Sequence, residues 1–413
     1  MSRRRLETEG LELGGGLEVL LAAALEGMAA GERVEVLTSS RSTALELHGW
    51  ARSAGHRSVG ERMPAGGPYA VEIERGSFAR VLAGPLPGRA SGPPLRDGEL
   101  HTADLRRAVD VPASVDGAAG FAPLGAIAEL GAPAFRWTFN ERDAIWADNV
   151  AELAEQGSAA QWDASRDIPW DAARGLADFM ERAVSQVMTF IAQNEYAALY
   201  VPAAFIANIN PRYHEVLLWL AGHVHDEARH IEVFTKRSLI GGQSSYALAS
   251  TELSLHTLLE EPDFSGAALL LNVLGEGTFL DLLRFVERHA PDAATRAAAA
   301  LAHRDEVRHV HFGISHVRRR IAADPAQAAV LVDAAERRAG KLTQMSGLSP
   351  LLSEGLTVMA AGSLQPAELS DGAAAVRQLM ATMEVNRIRR LQAAGFDLRT
   401  AQHVSDLHTP NLM

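Results

Sequence analysis

Hydrophobic and polar positions alternate along this chain in two different rhythms. Residues 11–13 form a short apolar run that reads as a strand, Gly14-Gly15-Gly16 as a turn, and residues 17–28 as an amphipathic helix. Gly31 then precedes residues 33–37, whose apolar positions alternate as in a half-buried strand. A second helix is expected over residues 42–54, ended by Gly55, and two more strands over 57–62 and 69–74 around Pro64-Ala65-Gly66-Gly67. Residues 86–134 are rich in Gly, Pro and Ala without sustained periodicity, which marks a linker carrying at most one short helix. From residue 135 the spacing is helical almost to the end. The pattern predicts a leading helix over 135–156, then a long one over 171–208 with Pro202 kinking its last turns. A third helix opens at Asn210-Pro211, with Pro211 at its first position, and runs to 241. Residues 264–289 and 291–322, the latter started by Pro291, follow, with accessory helices near 325–345 and 370–394 and a polar, irregular tail from 395. The expected fold is mainly α. A small α/β domain (residues 1–85), the linker (86–134), a helical bundle (135–395) and a tail (396–413) complete the division.

The bundle helices carry charge where their pattern calls for apolar residues. Glu195 and Glu276 each stand in a run uncharged for at least a turn on either side. A buried ionised carboxylate is costly there unless a cation or hydrogen bonds compensate it. About thirty residues beyond each comes a Glu-x-x-His: Glu227 with His230, then Glu306 with His309. Residues three apart on a helix share a face, so each pair can reach one ion. One such pair is weak evidence, but the repeated constellation reads as four helices converging on two metals. Carboxylates and imidazoles without thiolates suit iron or manganese, with zinc chemically possible.

Those six residues, within the strings DEARH and DEVRH, resemble the ligand set of the ferritin-like di-iron carboxylate oxygenases and oxidases, in which four bundle helices supply four Glu and two His. The strings look most like the signature of bacterial multicomponent monooxygenase hydroxylases. The stretch Gln161-Trp162-Asp163-Ala164-Ser165-Arg166-Asp167-Ile168-Pro169-Trp170 is similar to what precedes the first ligand helix in bacterial di-iron arylamine N-oxygenases. The resemblance covers roughly residues 162–317. It implies a ferritin-like four-helix bundle and assigns Glu195, Glu227, His230, Glu276, Glu306 and His309 as the ligands of two Fe ions, or of a Mn/Fe pair.

Asp226 and Asp305 precede the ligand Glu residues, and Arg229 and Arg308 precede the ligand His residues. Metal-bound imidazoles usually donate their outer N–H to a carboxylate, and the resembling hydroxylases do so across the helix pair. Asp226 is therefore expected on His309 and Asp305 on His230, with the two Arg residues satisfying the Asp residues; surface salt bridges are the alternative. The N-oxygenases place a third His ligand four residues ahead of a ligand Glu. His223 fits that spacing and His303 misses it by one, so both are candidates for the metals or for hydrogen bonds around them. His225, His311 and His316 read as ordinary helix-face residues. Tyr196 and Tyr200 read as core or pocket lining, against the radical-storing tyrosine of ribonucleotide reductase small subunits. Gly275 and Gly277 flank Glu276 and either ease helix packing or leave space for substrate.

The N-terminal βαβαββ order is similar to the TusA-type sulfur carriers, but Gly14-Gly15-Gly16-Leu17 stands where that family has its reactive Cys-Pro-x-Pro. The chain has no cysteine, so a persulfide carrier, thiolate metal sites, iron–sulfur clusters and disulfides are excluded together.

Length and charge narrow the rest. A chain of 413 residues with 47% hydrophobic content is long enough for two domains and a sizeable core. The net charge of -12 argues against general binding to nucleic acid or anionic membranes. Arg3 to Arg5 are followed by Glu7, Glu9 and Glu12 before any apolar stretch, against a signal peptide, and no run reaches the roughly 18 charge-free apolar residues of a membrane span. A cytoplasmic enzyme is expected, activating O2 at two irons to hydroxylate, N-oxygenate or desaturate a small organic substrate. No Gly-x-Gly-x-x-Gly sits at a strand-to-helix turn, so electrons are expected from a separate donor. A ferroxidase or iron-storage protein, and a metal-dependent binding scaffold, are the alternatives; a homo-oligomer is open.

Overall fold

The computed structural model describes residues 4–63, 66–76, 92–126, 134–243, 245–342 and 349–408. Residues 64–65 of the first-domain turn, 77–91 and 127–133 in and before the expected linker, 343–345 at the end of an accessory helix, and the tail beyond 408 lie outside the described residues. The chain divides into two compact units, Met1–Arg89 with Ala118–Phe135, and Ala90–Gly117 with Arg136–Met413.

In the first unit the elements are β1 (Arg4–Glu7), α1 (Leu17–Glu26), β2 (Arg33–Thr38), α2 (Arg41–Ser53), β3 (Arg57–Arg62) and β4 (Tyr69–Glu74). The sheet order is β1-β2-β4-β3, with β1 parallel to β2 and the other pairs antiparallel. Leu17, Leu21 and Leu25 recur at helical spacing on α1 and are buried against Val34, Val36, Leu47, Val71 and Ile73. Burying one such side chain contributes about 1.5–3 kcal/mol. The first strand is not at residues 11–13. Glu9 and Gly10 adopt positive φ, and Leu11 donates its N–H back to Thr8 in a turn. β1 is instead the charged segment Arg4–Glu7, an edge strand tied to β2 by the ladder and by an Arg5–Glu35 ion pair at 2.9 Å. Its polarity hides it from a hydrophobic pattern.

The second unit is a helical bundle. Its helices are α3 (Thr102–Ala108), α4 (Val150–Ala159), α5 (Asp178–Ile206), α6 (His214–Ile240), α7 (Ala249–Leu259), α8 (Phe264–Ala268), a π-helical segment (Leu269–Glu276), α9 (Gly277–His289), α10 (Ala293–Ala323), α11 (Gln327–Leu342), α12 (Pro350–Ala361), α13 (Pro366–Ala393) and α14 (Leu398–His408). α5 packs on α6, α10 on α9 and the π segment, and α12 on α5 and α13. The core joins Val184, Val187 and Ile191 of α5 to Phe234 of α6 and to Leu282, Leu283 and Val286 of α9. Ala294, Ala298, Ala299 and Ala302 line the buried face of α10; small side chains there let neighbouring helices approach closely. Phe264–His289 is long and apolar enough to cross a membrane by length and composition, and it is buried within the bundle.

Several boundaries depart from the sequence reading. The leading helix begins at Val150 rather than at residue 135, because Thr138 and Phe139 give their N–H groups to Asn208, at the turn between α5 and α6. α6 starts at His214. Pro211 belongs to the turn before it, where Asn210 Oδ1 accepts from the Arg212 N–H at 3.1 Å. Pro291 precedes Asp292, which is the residue that caps α10 by accepting from the Thr295 N–H at 2.7 Å. α7, α12 and α14 are helices that the sequence reading did not expect. The expected irregular tail is helical over α14, where Ala401 and Val404 are buried and Asp397 accepts from the Thr400 N–H.

Two large polar side chains inside the bundle are paired. Arg237 of α6 is fully buried and binds Glu181 of α5 at 2.6 Å, Asp292 at 2.8 Å and Thr295 Oγ1 at 2.6 Å. His316 of α10, expected on a helix face, is also fully buried; its Nδ1 lies 2.8 Å from the Trp146 carbonyl and its Nε2 2.9 Å from Ser265 Oγ. The π segment reaches α10 at Gly313, where a Cβ would stand 2.5 Å from Asn272 Cβ and 3.3 Å from the Ala268 carbonyl.

Two outcomes follow. Burial pushes His316 down to about 4. Between that value and the unfolded pKa of about 6.5, the unfolded chain alone takes up the proton, so acidification across this window removes on the order of 3 kcal/mol of stability. Urea unfolding of the wild type against His316→Asn as a function of pH checks this, the variant showing the flatter dependence. Gly313→Ala forces Asn272 and the π segment away from α10 and is expected to lose about 1–3 kcal/mol in the same assay.

Candidate metal centre

Four elements bring the sequence-predicted residues to one place. α5 carries Glu195, α6 carries His223, Glu227 and His230, the π segment ends on Glu276, and α10 carries Glu306 and His309. All seven are buried. Their ligand atoms fall into two groups, each within 4.8 Å: Glu195, Glu227, His230 and Glu306, and His223, Glu227, Glu276 and His309. Glu227 belongs to both.

The imidazoles are oriented alike. His230 presents Nδ1 to Glu227 at 3.3 Å and Glu306 at 3.4 Å, and His309 presents Nδ1 to Glu227 at 2.9 Å and Glu306 at 3.2 Å. His223 lies 3.2 Å from Glu227 and 3.0 Å from Glu276 through Nε2, and its ring stacks on His309 at 3.8 Å. These distances are short, yet Glu195 Oε1, both oxygens of Glu227, Glu306 Oε1 and His230 Nδ1 make no hydrogen bond of acceptable geometry among the described residues. Buried polar atoms are almost always satisfied. Atoms that converge on a common point without bonding one another have the arrangement of a cation's donor set.

Charge tells the same story. Burial, then the charges of Glu227 and Glu306, push Glu195 well above the usual carboxylate range. Burial also raises Glu276, although His223 opposes it. Burial would raise Glu227, but His230 and the other imidazoles hold it well below. His230 and His309 resist burial and are carried well above the ordinary imidazole value by Glu227 and Glu306 and by Asp305 and Asp226 respectively. The cluster demands positive charge.

Behind each imidazole stands a carboxylate. His230 Nε2 is 3.3 Å from Asp305 Oδ2, and His309 Nε2 is 3.5 Å from Asp226 Oδ2. Arg229 reaches Asp226 at 2.5 Å and Asp305 at 2.8 Å; Arg308 reaches Asp305 at 2.6 Å and Asp226 at 3.1 Å. Burial works against charge on Asp226, but His309 and His230 bring it down to about 2, and His230, Trp162 and Arg308 lower Asp305 further. Both are anions at neutral pH.

The sequence reading missed the residues that complete this layer. Gln161 gives its Nε2 to Asp226 at 3.1 Å and accepts from Arg229, while the Trp162 indole N–H donates to Asp305 at 2.7 Å beneath the Arg229 guanidinium. Asn272, one turn before Glu276, donates to its Oε2 at 2.7 Å. Resemblance singled out the Gln161-Trp162 stretch, but nothing in the residues said what it touches. A polar Asn272 within LLLNVLGE was the readable signal for the other.

Other candidates lie elsewhere. His303 is half-buried and accepts from Arg284 Nε at 2.9 Å, so it does not join the cluster. Six residues ahead of His309, it stands about 120° around α10 from that imidazole, on the other side of Glu306. Tyr196 and Tyr200 are exposed and stack on each other at 6.4 Å, so they do not belong to the core. Gly277 packs against Arg390, whose Nε a Cβ would meet at 2.6 Å.

Glu195, Glu276 and Glu306 also line a pocket. The rest of its wall includes Ala197, Ala198, Leu255, Leu258, Leu270, Leu271 and Phe279, with Asn194 and Arg338 as further polar members.

No family model and no curated protein matches this chain. Among solved structures it is similar to an R2-like ligand-binding oxidase with an aerobically reconstituted Mn/Fe cofactor, at 16% identity over 64% of this chain and 91% of that one, with a TM-score of 0.42. A variant of that oxidase with an anaerobically reconstituted Mn/Fe cofactor gives 15% identity over 60% and 94% of the two chains and a TM-score of 0.45. Another, with an Fe/Fe cofactor, gives 15%, 63% and 94%, and 0.41.

Proposed function

We propose that the chain is a non-haem dimetal oxidoreductase that uses dioxygen to oxidise a small organic substrate. The observation that carries this reading is the convergence of two buried Glu/His groups that share Glu227, with Glu195 Oε1, both oxygens of Glu227, Glu306 Oε1 and His230 Nδ1 left without a hydrogen bond among the described residues. Four Glu and three His, all oxygen and nitrogen donors, suit iron or manganese. Glu195, Glu227, His230 and Glu306 would hold one ion, and His223, Glu227, Glu276 and His309 the other. A bound Fe/Fe or Mn/Fe pair supplies the electrons that reduce dioxygen and hence the oxidising power.

The chain's own residues do the rest. Asp226 and Asp305, as anions, keep the outer proton of His309 and His230 on Nε2, so that Nδ1 faces inward as a base. Arg229, Arg308, Gln161 and Trp162 hold those Asp side chains in place. Asn272 fixes one oxygen of Glu276 and leaves the other toward His223. The pocket beside three of the carboxylates is lined mainly by apolar side chains, which favours an organic molecule over the polar path that iron storage calls for. A separate donor would deliver electrons.

Metal analysis of the purified chain is the first test, followed by anaerobic iron loading and mixing with oxygenated buffer under optical detection. About two irons per chain and an oxygen-dependent absorbance change are expected from the ligand count. Two zinc ions, or irons indifferent to oxygen, would remove the oxidase reading. Asp305→Asn is expected to weaken metal affinity by roughly ten- to a hundredfold, measured by chelator competition.

A further inference from the structure

Two hollows touch the Glu/His cluster, and both are small. The one beside Glu195, Glu276 and Glu306 has a volume of about 30 Å³, and the one beside His223 and Asn272 about 20 Å³. A single water needs about 10–15 Å³, so each hollow, as packed, takes one or two molecules of the size of water or dioxygen and is too small for an organic substrate. A third hollow of about 310 Å³ lies between the last turns of α5, the end of α7 and residues 138–139, within the range of small-molecule sites. It reaches the surface at Ala204, Asn208 and Leu259, which are exposed. This outer hollow shares walls with both inner ones. Val201 and Phe205, one turn apart on α5, line it and the hollow beside His223; Leu258 of α7 lines it and the hollow beside the glutamates. Phe205 is buried, and its ring meets Phe139 at 5.6 Å and Phe264 at 5.2 Å, both edge-on. Phe139 belongs to the outer wall and Phe264 to the inner one. The Phe205 ring is the partition between them.

We propose that the outer hollow docks a small, neutral, mainly apolar organic molecule, and that Phe205 is the side chain this molecule displaces to reach the Glu/His cluster. The wall sets the class. Phe139, Leu258 and Pro262 supply apolar surface, and Thr138 and Asn208 supply neutral hydrogen-bonding groups. The charged member is an acid, Glu261, held by Arg337 at 3.3 Å and by the Asp263 N–H at 3.2 Å. Desolvating an anion against such a wall goes uncompensated, whereas an alcohol or a phenol keeps its hydrogen bond and buries its hydrocarbon. As the substrate's docking place, the proposal rests on the oxidase reading; as a binding site it stands apart from it.

Calorimetric titration of the full chain with phenol, 4-propylphenol and benzoate, as purified and after chelator treatment, tests the site. Both phenols are expected to bind equally well with and without metal, and benzoate about tenfold or more weakly. Ala204→Trp fills the outer hollow from an exposed position and should lower phenol affinity by about tenfold. Phe205→Ala joins the outer hollow to the one beside His223. The affinity of 4-propylphenol relative to phenol should then rise above its wild-type value by about fourfold for each CH2 group newly buried. Phe205→Leu should move that ratio in the same direction and decides the matter if Phe205→Ala fails to fold. No phenol binding, benzoate binding as tight as phenol, affinity unchanged in Ala204→Trp, or affinity lost on chelation would overturn the docking site. An unchanged ratio in the folded Phe205 variants would overturn the partition. Metal content and oxygen response, measured separately, report on the oxidase reading alone.

Discussion

Four carboxylates packed inside a protein cannot all remain charged without positive charge among them. That constraint organises the bundle. Glu195, Glu227, Glu276 and Glu306 come from α5, α6, the π segment and α10, and each helix must present its carboxylate at one depth and one rotation. Removing one partner of a buried charge group is far more damaging than replacing the whole group by hydrocarbon. The helices are therefore fixed twice, by apolar packing and by ion pairs such as that of Arg237 with Glu181 and Asp292.

The outer layer shows how a repeated sequence becomes a symmetric structure. Both copies of Asp-Glu-x-Arg-His put Glu and His inward and Asp and Arg outward, and each Arg bridges its own Asp and that of the facing helix. Four charges in a closed ring satisfy one another and leave the Asp residues free to orient imidazoles. Symmetry stops at the inner layer. His223 has no counterpart at His303, and Asn272 holds Glu276 where no equivalent side chain holds Glu195 among the hydrogen bonds described. The two donor groups accordingly differ in nitrogen content.

Much of this was legible in the sequence, for a physical reason. A charged residue in an apolar helical run is a contradiction that burial must resolve, so Glu195 and Glu276 stood out, and the repeat of Glu-x-x-His supplied their partners. The mainly α bundle with a small α/β unit followed from periodicity alone. What stayed hidden had no periodic signature. β1 is an edge strand made of charged residues, α14 has two buried apolar positions, and Gln161 and Trp162 act from a loop through contacts more than sixty residues away in sequence. His303 fails as a candidate because it stands about 120° around α10 from His309. The π segment looks like ordinary helix in sequence, since its hydrogen bonds shift register without changing the apolar composition.

That register shift has a consequence for how the helix is oriented. A π turn holds about one residue more than an α turn, and one residue is roughly 100° of helical phase. Glu276 closes the π segment and α9 begins immediately after it, so the segment acts as a phase adjuster between two stretches of one rod. The rod can turn Glu276 to its carboxylate partners on one side of the adjustment and Leu282, Leu283 and Val286 to the core on the other. A uniform α-helix would have to choose its rotation once. Here the rotation is chosen twice, so the carboxylate cluster and the core are each aligned without constraining the other.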